Sequence, residues 1–405
     1  MRYLPNTLKD RQEMLKAVGK PSVEALFADI PEKIKLKKEI PLPPPLSEPE
    51  LLAEMGLAAS SLSSSLSSSF LGAGVYPHFI PSVVKHIVSR SEFYTAYTPY
   101  QAEMSQGALQ AIYEYQTMIA RLTGMDAANA SMYDGATALA EAAFLACRVT
   151  GRKEIVVSDS IHPAQIKVLK TYAKGAGLTV TDKETAAPAC VIIQQPDFFG
   201  RIQDLSGLAE KIHAKGALFI VSADPISLGI LKAPGDYGAD VVTGEGLSLG
   251  NPPSFGGPGL GIFAVKDKYI RQIPGRVVGQ TVDEKGRPGY CLTLQTREQH
   301  IRRERATSNI CSNEALAALA AVVYLSVLGK AGLKKVGELC LQKTNYLKGK
   351  LRARLVFPEA YNFKEFESFY LKDSSFLYED KYYREFSRGN IERYRAKGIT
   401  RKPAF

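Results

Sequence analysis

The chain contains no tryptophan and only five cysteines, Cys147, Cys190, Cys291, Cys311 and Cys340. Their number is odd and no two are close in sequence. This argues against a disulfide framework or a zinc site and points to buried thiols in a reducing compartment. The five histidines, His78, His86, His162, His213 and His300, lack metal-ligand spacing to one another, to cysteine or to paired carboxylates, so no metal is expected. Gly-x-Gly-x-x-Gly and a Walker lysine loop are both missing, which argues against a nicotinamide or nucleotide site. No run of 18 apolar residues occurs, and the N-terminal Met-Arg-Tyr-Leu-Pro-Asn-Thr has no apolar signal core. No membrane span is therefore expected, and the cytoplasm is the default location. The most informative absence is local: no lysine lies between Lys232 and Lys266.

What is present is an ordinary globular composition, with 405 residues, 45% apolar and 23% charged. That length can bury a large core, and one large α/β domain with a smaller appendage fits it. The net charge of +10 reads as a solvated basic surface or as a face for an acidic partner. No basic stretch carries interleaved aromatics, so nucleic acid is not expected.

Residues 6–30 read as short amphipathic helices, and Pro31 to Pro49 as an extended arm rich in proline and lysine. Ala58 to Ser69, nearly all Ala, Leu and Ser, reads as a weak helix or a loop. Ser105 to Gly124 is the clearest helix. Leu109, Ile112, Gln116 and Ile119 share one face, Ser105 stands where an N-cap would, and Gly124 where the helix ends. From Glu154 onward, short apolar strands (154–158, 178–181, 190–194, 218–222, 240–243 and 261–265) alternate with helices at His162–Lys174 and Leu205–Lys215. Continuous Val/Ile strands separated by helices predict a mostly parallel sheet covered on both faces. Two long helices, Glu314–Leu328 and Leu333–Leu351, follow. After about Val356, thirteen of the 37 aromatic residues crowd into the remaining tail without clear periodicity.

Four segments could carry chemistry, and each has a plainer reading. Asp224, just after a strand, could pair with the nitrogen of a pyridine cofactor or simply form a turn. Asp134-Gly-Ala-Thr137 precedes an Ala-rich helix, where backbone N–H groups could hold a phosphate or small residues could allow tight packing. Tyr97-Thr-Pro-Tyr-Gln101 and the following residues to Gly107 form a stiff polar loop that could line a site or merely turn the chain. Arg297 to Cys311 is dense in charge. On a helix, Glu298–Arg302 and Glu304–Arg297 would be surface pairs, and Thr307-Ser-Asn309 could cap the next helix; the segment could also contact an anion or a partner.

The loop Thr243-Gly-Glu-Gly-Leu-Ser-Leu-Gly-Asn-Pro-Pro-Ser-Phe-Gly-Gly-Pro-Gly259 looks like the cofactor loop of a pyridoxal-phosphate enzyme of the aminotransferase type, without its lysine. Together with His78-Phe-Ile-Pro81, Tyr97-Thr-Pro-Tyr-Gln101, Ser105-Gln-Gly107, Asn129-Ala-Ser-Met-Tyr-Asp-Gly-Ala-Thr137 and Arg297 to Cys311, it resembles the glycine-cleavage P protein. The specific likeness is to the separately encoded N-terminal subunit of that family, over about residues 1–350. The resemblance implies an α/β fold of type I with a mostly parallel central sheet and a smaller, incomplete C-terminal domain. The implied division is an N-terminal helical arm and linker (1–70), a large domain (71–325), and a linking helix with an atypical small domain (326–405).

It further implies that pyridoxal phosphate and its lysine belong to subunit 2, in an α2β2 assembly. Glycine is there decarboxylated and its aminomethyl group passed to the lipoyl arm of H protein. Laid against the partner's loop, the lysine position falls on Leu247. Gly135, Ala136, Thr137 and Asp224 then read as a vestigial cofactor frame, while Tyr97, Thr98 and Tyr100 read as residues that reach the partner's site. The chain departs from the family at Pro77, in the simple Ala58–Ser69 stretch, at Arg305 in place of lysine, and after about residue 356. A truncation or frameshift would explain the last departure and would favour a non-catalytic scaffold that binds subunit 2 without turnover. A free-standing enzyme with a lysine from elsewhere is the third reading.

Overall fold

The computed structural model describes residues 5–38, 40–63, 74–310 and 312–351, and the short strands 355–356, 368–370 and 403–404. The chain separates into two compact units, 1–70 and 71–405. In the first, helix α1 (Leu8–Ala17) starts at a capping box in which Thr7 and Asp10 accept each other's backbone N–H. A 3-10 turn follows at Glu24–Phe27. The arm ends at Ser47 rather than Pro49, because helix α2 (Glu48–Ser63) takes Pro49 into its first turn, where a missing N–H costs nothing. Glu50 Oε2 accepts from the Ser47 N–H at 2.8 Å. The Ala/Leu/Ser stretch is helical to Ser63, and its remainder, 64–69, lies outside the described residues.

The second unit is built on a seven-stranded sheet. Its strands are β1 (Ala127–Ala128), β2 (Glu154–Val157), β3 (Thr179–Thr181), β4 (Cys190–Gln195), β5 (Leu218–Ala223), β6 (Val241–Glu245) and β7 (Gly261–Val265). Their spatial order is β1-β7-β6-β5-β4-β2-β3. Strands β2 to β6 pair in parallel, and β7 runs antiparallel to β6 and β1. Every residue of β5 is buried, because helices cover both faces. Alternation along β5 sends Phe219 and Val221 to one core and Leu218 and Ile220 to the other. Burying side chains of this size contributes roughly 2 kcal/mol each.

The helices of this unit are α3 (Ser82–Val88), α4 (Ser91–Tyr94), α5 (Gln106–Thr123), α6 (Gly135–Thr150), α7 (Pro163–Gly175), α8 (Leu208–Ala214), α9 (Gln299–Arg302) and α10 (Ala315–Leu351). Helix α5 buries the face read from its spacing, and Gly124 ends it at φ 69°. Ser105 occupies the N-cap position, but its hydroxyl makes no cap bond. Gln116 sits on the apolar face for a reason the spacing does not disclose. Its amide donates to the Val278 carbonyl and accepts from the Val278 N–H, both at 2.9 Å. Val278 belongs to a hairpin, β8 (Val277–Val282) and β9 (Pro288–Thr293), that the apolar pattern does not announce.

Helix α10 is two helices merged across a break at Gly329 (φ 57°, ψ −175°), as the separate helical patterns before and after this glycine predict. Taken as one stretch across that break, α10 is the one helix among the described residues long and apolar enough to cross a membrane by length and composition alone. Its Ala318, Ala321 and Tyr324 are instead buried in the protein core. Beyond it, β10 (Leu355–Val356), β11 (Ser368–Tyr370) and β12 (Pro403–Ala404) pair as a small antiparallel sheet.

Glu141 is the anomaly of the core. It lies on the buried side of α6, 4% exposed, and burial pushes its carboxyl above the ordinary value despite a bond from Ser308. A raised folded value means the native state holds the proton longer than the unfolded chain. Stability is then fullest below about pH 4.5 and falls as pH rises through the folded value. Glu141→Gln should therefore gain stability relative to the parent as pH rises from 4 to 8, read as the difference in urea midpoints.

Candidate functional site

The carboxyl ends of β4, β5 and β6 open into a cavity of about 100 Å³, where ligands bind in open parallel sheets. Asp224 and Leu247 both line it, so the structure brings these two together. Asp224 follows β5, and its Oδ1 accepts from the N–H groups of Ile226 and Ser227 at 2.9 and 3.0 Å. It is thus a turn former that also faces the cavity. His162, which caps α7, faces the same cavity. Its Nδ1 accepts from the Ala164 N–H at 3.0 Å, so the neutral ring carries its proton on Nε2. The edge of its ring meets Phe198, with centroids 4.8 Å apart.

The first turn of α6 lies behind one wall. Asp134 caps it, its Oδ1 accepting from the Thr137 N–H at 2.7 Å. The Gly135 N–H donates to Glu245 Oε2 at 2.9 Å, and Glu245 Oε1 accepts from the N–H groups of Leu247 and Leu260, each at 2.9 Å. One carboxylate at the end of β6 therefore ties together α6, the lysine-free loop and the entry to β7. Burial raises the Glu245 carboxyl above its ordinary value, against the pull of its three donors. A Cβ at position 135 would stand 2.9 Å from the Glu245 nitrogen, so glycine there allows helix and strand end to touch. Both readings of Gly135 to Thr137, phosphate and tight packing, meet here, and the packing is visible.

Tyr97, Thr98 and Tyr100 do not line this cavity. They form a separate group, with Tyr97 77% and Tyr100 57% exposed. Arg276, almost wholly buried, donates from Nη2 to Tyr100 Oη at 3.2 Å and from Nη1 to Ser312 Oγ at 3.1 Å. Its guanidinium also lies 5.4 Å from the Tyr100 ring centroid, and Glu298 stands 3.9 Å from Nε. The hydroxyl of Thr98 is buried and has no hydrogen-bond partner among the described residues.

The charged segment around Arg297 differs from its helical reading. Among its described residues only Gln299–Arg302 is α-helical, and Arg303 at φ 53° ends it. Neither expected pair forms among the described ion pairs: Glu298 lies near Arg276 and His300, and Glu304 near Arg305. Arg297 points inward and donates to the Ile273 carbonyl; burial lowers its guanidinium to about 10. The next helix is capped not by Thr307 to Asn309 but by Ser131, whose hydroxyl accepts from the Glu314 N–H at 3.0 Å. Sequence reasoning passed over Arg276, His162 and Glu245. Only Glu245 left a signal, as a lone acid between two glycines at a strand end.

This sheet, with its single antiparallel inner strand and its cavity at the strand ends, is the fold of the pyridoxal-phosphate-dependent enzymes of fold type I. A sphingosine-1-phosphate lyase from Burkholderia pseudomallei shares it with a TM-score of 0.55 at 14% identity, covering 84% of this chain and 82% of that one. A solved glycine decarboxylase P-protein of the glycine cleavage system, in inhibitor-bound form, matches with a TM-score of 0.81 at 45% identity, over 97% of this chain and 91% of that one. The chain belongs to the glycine cleavage system P-protein family, whose profile matches residues 1–385. That match extends past the limit near residue 350 at which the motif resemblance ends. A relative from Desulforamulus reducens, named "Probable glycine dehydrogenase (decarboxylating) subunit 1", is 54% identical over 391 residues, 92% of this chain and 87% of its own. One of the same name from Chlorobaculum parvum is 55% identical over 367 residues, 86% of this chain and 82% of its own.

Gly135→Ala should destabilise the fold by about 2 kcal/mol, the typical cost of forcing extra volume into a packed contact. Ala136→Gly, which adds nothing to that contact and costs at most about 1 kcal/mol through helix propensity, sets the lower bound for comparison. Urea unfolding of the two variants checks this.

Proposed function

We propose that this chain is a subunit of glycine decarboxylase without its own Schiff-base lysine, and that it completes the site of subunit 2. The two form an α2β2 assembly in the cytoplasm. Glycine is decarboxylated there, and its aminomethyl group passes to the lipoyl arm of H protein. Pyridoxal phosphate, held by subunit 2, supplies the electron sink for the pair left when carbon dioxide departs.

The observation that carries this reading is the outward Tyr97–Gln101 loop held on a buried arginine. A loop serving this chain's own cavity would face it. Instead Tyr97 stands in solvent, as does much of Tyr100, whose oxygen accepts from Arg276 and so leaves its own proton free to be donated. That phenol can donate to a substrate carboxylate in a neighbouring site. The Thr98 hydroxyl, buried without a partner among the described residues, supports the same reading, since such a group costs about 1–3 kcal/mol until something bonds it. Pro99, the buried residue of the loop, stiffens it, so Tyr97 and Tyr100 can cover a bound substrate and exclude water. Leu247, at the position aligned with the lysine, cannot form an imine.

The test is glycine-dependent carbon dioxide exchange with H protein, using this chain and a cognate subunit 2, together and apart. Activity only in the mixture is expected. A co-eluting pair without activity would favour the scaffold instead. Tyr100→Phe should lower exchange by the mixture at least tenfold while co-elution with subunit 2 is kept.

A further inference from the structure

We infer that Glu245 is a built-in anion that occupies the phosphate place of this chain's own cavity, so that the cavity excludes phosphorylated ligands whatever stands at position 247. The inference deepens the assignment of the cofactor to subunit 2 and rests on that reading for calling the cavity silent. A type I cofactor site needs a lysine, a partner for the pyridine nitrogen, and backbone N–H groups at a helix start for the phosphate. Asp224 meets the second need by its place in the cavity wall. The third is not met. The Gly135 N–H points at Glu245 Oε2, and the Thr137 N–H at Asp134 Oδ1. Glu245 itself lines the cavity, so it stands between the helix start and any ligand there.

A phosphate entering this wall would meet a carboxylate instead of donors. It would have to displace an acceptor that holds three backbone N–H groups from three segments. The bonds themselves keep the carboxyl in that place, and its ionised form adds like-charge repulsion in a partly desolvated site, although burial raises its carboxyl above the ordinary value. The Glu245 oxygens also satisfy the loop at Leu247 and Leu260, so the carboxylate cannot swing away without orphaning buried donors. The missing lysine removes the covalent link; Glu245 removes the anion site, which is a separate lesion.

The probe is 4′-deoxypyridoxine 5′-phosphate, which has ring and phosphate but no aldehyde to react with surface lysines. Its unphosphorylated counterpart, 4′-deoxypyridoxine, is the control. Calorimetry on the full chain should show no preference for the phosphorylated form. Glu245→Ala should bind the phosphorylated probe at least tenfold tighter than the parent does, with no gain for the control, and inorganic phosphate should compete the gain away. Leu247→Lys alone should not restore phosphate-dependent binding. Should Glu245→Ala not fold, as judged by circular dichroism, Glu245→Gln carries the same expectation with a smaller gain. A parent chain that takes the phosphorylated probe tenfold tighter than the control overturns the inference without any variant. So does a folded variant with equal gains for both probes, or with none. Activity of the mixture with subunit 2 is read separately, so failure of the proposed function and failure of this inference give different results.

Discussion

The contact on which the site region depends is the approach of the first turn of α6 to the end of β6. It is possible because position 135 has no side chain, and it is held because Glu245 bonds the Gly135 N–H. Through its other oxygen the same carboxylate fixes the start of the lysine-free loop and its return into β7. The start of α6, the loop after β6 and the entry to β7 thus share one half-buried acid. Burial works against that charge while the donors sustain it, so the arrangement holds only as a complete set.

Two groups of residues emerge that are spatially separate. The cavity at the strand ends keeps Asp224, His162 and Leu247 together, and the exposed loop at Tyr97 to Gln101 belongs to another face supported by Arg276. The first has the outline of a fold type I site. The second sets two exposed tyrosines, Tyr97 and Tyr100, beside the buried Arg276 guanidinium. Membership of the P-protein family gives both a common context.

Much of this was legible in the chain because burial on both faces leaves an unambiguous mark. The strands from Glu154 to Val265 read as apolar runs, and α5 reads as a stripe ended by Gly124, since each pattern is local. The hairpin of β8 and β9 was not legible. Its outer half is exposed, and much of its anchorage comes from Gln116 and Gln106, amides that bond its backbone from α5. Arg297 and Glu298 looked like surface charges because periodicity cannot show that the chain kinks at Arg303 and turns them inward. The motif at Tyr97 was visible as composition. Its separation from Asp224 was not, because Asp224 ends the central strand β5 while Tyr100 is held by Arg276, a long-range contact that no local pattern records.

Arg276 also bears on the order in which the molecule can be put together. Its guanidinium joins Tyr100 to Ser312, residues on opposite sides of the whole central sheet in sequence. A chain emerging from the ribosome makes Tyr100 long before either Arg276 or Ser312 exists. The aromatic loop can gain its final position only after such long-range closure, which makes it a late event in folding. Until then its tyrosines are exposed without a support, and a newly made chain lacks an ordered version of the surface it will later present.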